Sequence, residues 1–551
     1  LALIGIIVWV VRQKQNDSAD YFLGGRDATW LAIGASIFAS NIGSEHLIGL
    51  AGAGASSGMA MAHWEIQGWM ILILGWVFVP FYTRSMVYTM PEFLERRYNP
   101  QSRTILSVIS LVSYVLTKVA VTVYAGGLVF QQVFGIKELW GIDFFWIAAI
   151  GLVVLTALYT IFGGMKSVLY TSVLQTPILL LGSLIILVLG FKELGGWDEM
   201  MRVCGAVTVN DYGDTMTNLI RSNDDANFPW LGALIGSAII GFWYWCTDQF
   251  IVQRVLSGKN EMEARRGTIF GAYLKLLPVF LFLIPGMIAF ALHQKYIGAG
   301  GEGFLPMLAN GTANADAAFP TLVAKLLPAG VKGLVVCGIL AALMSSLASL
   351  FNSSAMLFTI DFYKRFKPET PEKKLVGIGQ IATIVIVVLG ILWIPIMRSV
   401  GDVLYTYLQD VQSVLAPGIA AAFLLGICWK RTSAQGGMWG LISGMVIGLT
   451  RLGAKVYYSN AGEVADSTFK YLFYDMNWLF FCGWMFLFCI IVVIVVSLAT
   501  EAPTAEKIQG LVFGTATKEQ KAATRASWNH WDIIHTVIIL AITAAFYWYF
   551  W

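Results

Sequence analysis

The sequence predicts an all-α polytopic membrane protein, and three observations carry that reading. Of its 551 residues, 57% are hydrophobic and only 13% are charged, whereas soluble domains are about one quarter charged. Thirteen apolar runs reach the roughly 20 residues that a helix needs to cross a bilayer core: 28–55, 58–83, 104–134, 143–163, 167–191, 229–253, 267–293, 331–360, 375–397, 402–428, 434–454, 476–499 and 533–551. If the chain crosses at every run, the clusters Arg96/Arg97, Arg265/Arg266, Lys364/Arg365/Lys367 and Lys430/Arg431 all fall on one side. The positive-inside rule makes that side cytoplasmic.

Each run reads as a helix because backbone groups in lipid must satisfy one another within the segment. Residues 1–11, LALIGIIVWVV, are too short to span. They read as the end of a fourteenth helix rather than as a signal peptide, and both termini then lie outside. Segment 1–27 holds that truncated helix and a cytoplasmic loop, 28–191 a first block of five helices, and 192–228 an extracellular loop. A second block of five follows at 229–428, with an external loop at 295–330; then come two peripheral helices (429–499), a cytoplasmic linker (500–532) and the last helix (533–551). The compact loops suggest a bacterial inner membrane.

The net charge of +3 implies no nucleic-acid partner, and the six cysteines show no metal-ligand spacing. The stretch AGAGASSG (51–58) spaces its glycines for packing between membrane helices rather than for a nucleotide. Walker A and HExxH motifs are missing, which disfavours an ATP-driven pump and a metalloprotease-type enzyme. No organic cofactor is implied.

Polar residues inside the runs carry the functional signal, because an ionisable group in a membrane helix is costly and by default faces a cavity and a partner. Glu45, His46, Glu65, Lys118, Asp248 and Lys275 are such groups. For Lys118 and Asp248 the expected role is a paired charge that locks helices together. FASNIGSEH (38–46) puts Ser, Asn and Gly where a membrane helix needs Leu, so a break is expected there. Transporters use the carbonyls freed by such breaks to hold sodium near the midplane, and oxygen ligands suit a hard cation. Ser345 and Ser346 form a second hydroxyl cluster. They either bond back to their own helix or, paired with the break, complete a cation site. Trp243, Tyr244 and Trp245 lie past the middle of their run, which favours stacking against a ring-shaped solute over an interfacial belt.

Together these residues resemble the sodium/glucose cotransporters of the solute:sodium symporter family. The resemblance runs from about Tyr21 to Leu498 through YFLGGRDATWLAIGASIFASNIGSEHLIGLAG, WYWCTDQFIVQR with LSGKN, YLKLLPVF, MSSLASLFNSSAMLFTIDFY and YLQDVQSVLAPGIAAAFLLGICWKR, in that order. It implies 14 transmembrane helices around a LeuT-like five-plus-five inverted-repeat core, with repeats at 28–191 and 229–428 and a broken first core helix. It implies a sodium site from the carbonyls of Ala39, Ile42 and Ala342 and the hydroxyls of Ser345 and Ser346. Asn41, His46, Glu65, Lys275 and Gln409 would bind the sugar, with Tyr244 as inner gate, Trp245 beside it, and Leu50, Trp64 and Tyr405 as outer gate. The partners implied are a sugar, sodium and the lipid bilayer.

Two positions depart from the family pattern: Ser172 in YTSVLQ replaces an acidic residue, and Ala348 stands where a second-sodium hydroxyl would be. Both point to one sodium per solute. Gly241 replaces a side chain that touches sugar in relatives. The expectation is therefore sodium-coupled import of a neutral hexose, glucose or galactose, by alternating access. The alternatives are the same fold carrying myo-inositol, another polyol, a sugar acid or an amino acid, and a sodium-linked sugar sensor or channel.

Overall fold

Among the described residues, nine helices are long and apolar enough to cross a membrane. The computed structural model describes residues 5, 9–10, 12, 17–43, 45–308, 311–398, 404–460 and 465–551. The short apolar N-terminus, and with it the expected fourteenth helix, lies mostly outside them.

The runs 143–163 and 167–191 are joined into one helical stretch, Phe144–Leu194, folded at Gly164 (φ 53°, ψ −150°). A side chain there would also meet the Tyr21 carbonyl at 2.5 Å, so glycine is required twice over. The run 28–55 is not one helix. Trp30–Asn41 ends at Ile42, which is extended (φ −79°, ψ 95°), and helix resumes at Glu45 as a wide π-turn that leads into Ala51–Ser57.

Two long pairings join the chain's halves. Phe144–Leu194 packs along Ala329–Met356, and Glu261–Lys275 packs along Trp30–Asn41. The segment AGAGASSG does what small residues do between membrane helices. A Cβ on Gly54 would sit 2.2 Å from the Leu283 carbonyl, and one on Gly286 would sit 2.0 Å from the Ala51 carbonyl. The backbones of Ala51–Ser57 and Ile284–Gly298 therefore touch directly.

The linker 500–532 is more than a tether. It holds two short helices, the second (Lys518–Ala526) closed by a Thr517/Gln520 capping box. Arg265 donates to Ser527 and Arg84 to Thr524, and Arg266 pairs with Asp532 at 3.1 Å. These bonds dock the linker against the end of Val79–Ser85 and the first turns of Glu261–Lys275.

Candidate functional site

The break in the first helix is built locally. The N–H of Ile42 bonds back to the Phe38 carbonyl at 2.9 Å, and the carbonyls from Ala39 onward belong to the last turn of Trp30–Asn41, the turn whose acceptors a helix end leaves without intrahelical partners. A hydroxyl contact at 2.7 Å between Ser40 and Ser349 clamps this end to Ala329–Met356. On that helix Ala342, Ser345 and Ser346 occupy one face at i, i+3 and i+4. A Cβ on Gly43 would lie 3.0 Å from the Ser346 hydroxyl, so Ser346 abuts the break. Ser345 lies 3.3 Å from the Ser172 hydroxyl, which itself donates to the Val168 carbonyl. The five expected sodium ligands are all buried, and the break brings Ser346 and the end of Trp30–Asn41 together. Ser44 lies outside the described residues.

A second break mirrors the first. Trp230–Gly241 widens into a π-turn over Phe242–Thr247, stops at Asp248 (φ −77°, ψ 127°) and resumes at Gln249–Leu256. Sequence reading missed this interruption. Its signal was Asp248, which caps the new helix by accepting from the Phe250 N–H at 3.2 Å.

Between the two breaks lies a cavity of about 50 Å³, which is room for a few water molecules. It is lined by Asn41, His46, Trp64, Glu65, Tyr244, Trp245, Lys275, Ser346 and Gln409. Lys275 donates to Glu65 at 2.6 Å and to Asn41 at 3.2 Å, and Asn41 donates to the Tyr244 hydroxyl at 3.1 Å. His46 Nε2 is 3.3 Å from the same Glu65 oxygen. A continuous polar chain thus runs His46, Glu65, Lys275, Asn41, Tyr244. The Tyr244 and Trp245 rings meet edge to face at 4.9 Å, and the Lys275 ammonium is 5.3 Å from the Trp245 ring centre. Gln409 leaves its Oε1 buried with no hydrogen-bond partner among the described residues, an arrangement that costs free energy until a donor arrives.

Lys118 and Asp248, each expected to be a paired charge, pair with each other at 2.5 Å, and Tyr114 also donates to Asp248. The Lys118 ammonium is 4.6 Å from the Tyr244 ring centre and also lines the cavity. It therefore borders the site besides locking helices. Gln67, Thr122, Glu45 and Gln412 line the cavity as well. Sequence reading marks Glu45 as a cavity-facing group but assigns none of the four to the solute or the ion, although Gln412 follows Gln409 by three residues and so shares its face.

Of the expected outer gate, Trp64 stacks on Trp478 (5.5 Å, 20°) and meets Phe228 edge-on at 6.2 Å. Leu50 is buried but is not among the residues that line the cavity. The Tyr405 side chain lies outside the described residues.

Comparison with known proteins agrees with this architecture. The human sodium/myo-inositol cotransporter 2 is 36% identical over 529 residues, covering 94% of this chain and 77% of the relative. The sodium/myo-inositol cotransporter of Canis lupus familiaris is 37% identical over 536 residues, covering 93% and 74%. In fold, the chain is similar to a Na+-coupled sialic acid symporter solved in a substrate-bound outward-open state, with a TM-score of 0.72 at 22% identity, over 91% of this chain and 96% of that one. Such relatives are transporters and not enzymes. The sodium:solute symporter family matches residues 21–444, and this multi-pass membrane protein belongs to that family.

Proposed function

We propose that the chain imports a neutral cyclic polyol, with myo-inositol as first candidate and a hexose as second, driven by one sodium ion per solute. The carrying observation is the charge balance of the cavity. Lys275 is tied to Glu65 and Lys118 to Asp248, so both lysines are already engaged by carboxylates and neither stands ready for an anionic solute. What the lining offers is hydroxyl chemistry: the amides of Asn41 and Gln409, the Lys275/Glu65 pair, and the Tyr244/Trp245 rings for a C–H face. The glucose or galactose preference expected from sequence gains no support from the myo-inositol cotransporters reported above, whereas the polyol alternative does.

Sodium would bind the carbonyls of Ala39, Ile42 and Ala342 and the hydroxyls of Ser345 and Ser346. That would brace the broken helix, which also carries Asn41 into the solute site. Coupling then follows if sodium favours the solute-competent state. Trp64 and Tyr244 both line the cavity, and entry and release would follow from their rings swinging away. We read 28–191 and 229–428 as inverted repeats, each opening on a broken helix, with both termini outside. One charge moved through 100 mV supplies ~2.3 kcal/mol, or roughly 50-fold accumulation at 1.36 kcal/mol per decade.

The test is uptake of labelled myo-inositol, glucose and galactose into proteoliposomes under an inward sodium gradient or an equal potassium gradient. Sodium-only accumulation of myo-inositol above equilibrium supports the proposal. Sodium currents without accumulation would favour a sensor or channel, and accumulation of glucose alone would favour a hexose carrier.

A further inference from the structure

Gly241 has an ordinary helical backbone (φ −62°, ψ −41°), so its conformation does not call for glycine. What the missing side chain makes room for is the amide of Gln67. An ideal Cβ at position 241 would lie 2.4 Å from Gln67 Oε1, 2.8 Å from Cδ and 3.0 Å from Nε2. Both residues line the cavity. Gln67 is aimed there by a local irregularity, because Ile66 and Gln67 leave the helix (ψ 16° and 23°) between Ala62–Glu65 and Gly68–Ile73. In an unbroken helix, residues two apart point away from each other; the interruption lets Glu65 and Gln67 both face the cavity.

We propose that Gln67 is a specificity-determining residue that supplies, from the first block, the polar group that position 241 lacks in the second. Its orientation is determined by chemistry. Gln67 Nε2 donates to the Ser237 carbonyl at 2.8 Å, and a carbonyl can only accept, so Oε1 is the free end at the Gly241 gap. Gln67 therefore presents an acceptor to the solute and demands a hydroxyl that donates. A solute with that hydroxyl removed or methylated leaves a buried acceptor unpaired, which is how polar sites reject analogues.

The assignment rests on the polyol reading, and one experiment separates the two. The full chain in proteoliposomes is assayed with myo-inositol and a panel of single-deoxy and single-O-methyl inositols, as wild type, Gln67→Met and Gly241→Ala. The alanine methyl pushes the Gln67 amide aside from another helix, so it repeats the test if Gln67→Met fails to fold. The expected result is a KM for myo-inositol raised about tenfold with kcat little changed, and discrimination at one ring position lost while the other positions keep theirs. Unchanged discrimination at every position in both variants would overturn the role of Gln67 alone. No sodium-driven uptake of any polyol by the wild type would overturn the polyol reading and this assignment with it.

Discussion

Lys275 and Glu65 form a 2.6 Å ion pair in which both side chains are almost fully buried. Removing one partner leaves an uncompensated buried charge, worth ~3–5 kcal/mol of stability. Lys275→Met and Glu65→Gln should each lower thermal stability in detergent by that order. The double variant should recover much of it while uptake stays abolished. Independent, additive losses would show that the pair is not a unit.

The sodium reading predicts an ion-specific defect. Ser346→Ala should raise the half-saturating sodium concentration about tenfold, as for a lost ligand worth ~1–1.5 kcal/mol, with solute affinity restored at high sodium. Sodium titration of uptake measures this, and an unchanged half-saturation would remove Ser346 from the site.

At the second break, Tyr114 and Lys118 both converge on Asp248. Asp248→Asn strands the Lys118 charge and should destabilise strongly, whereas Tyr114→Phe removes a donor to the carboxylate and an acceptor of the Phe250 N–H at 3.0 Å but strands no charge, and should cost ~1.5–3 kcal/mol. Thermal unfolding of the two variants side by side tests that order.

The aromatic cluster around Trp64 carries a pH dependence through Asp225. This carboxylate accepts from the N–H of Phe228 at 2.7 Å, whose ring meets Trp64. Burial pushes the Asp225 carboxyl upward, but the N–H of Phe228, the Asn210 amide, the N–H of Asn227 and the Arg221 guanidinium outweigh it and leave the group below its ordinary 3.8. A depressed value means that the stabilisation is complete above the ordinary carboxyl range and is lost as pH falls through the folded value. Proteolysis of the 192–228 loop should therefore stay constant near neutrality and rise only in strong acid, and Asp225→Ala should make it acid-independent.

Where Gly286 meets the Ala51 carbonyl, a larger residue must force two helices apart. Gly286→Val should destabilise by at least the ~1–3 kcal/mol of an overpacked core, whereas Gly330→Ala, with open space around it, should be silent. Comparing the melting of the two variants in detergent checks this.

The sequence by itself determined that the chain is a helical membrane protein, and it marked the polar places. FASNIGSEH announced the first break because Ser, Asn and Gly hold a membrane helix poorly, and Lys118 and Asp248 each announced a paired charge because a lone charge there is costly. Side-chain type and spacing along one helix were enough for these. Tertiary structure alone decided which groups share the cavity. Glu65 and Lys275 are 210 residues apart. They reach hydrogen-bond distance only because Gly68–Ile73, which continues the chain just after Glu65, packs along Glu261–Lys275. The role of Gly241 was equally hidden, since a glycine's meaning is the neighbour that fills its space, and that neighbour, Gln67, lies in another part of the chain. Local pattern reports what a segment must bury or satisfy, whereas the partner that satisfies it is set by how helices distant in sequence pack.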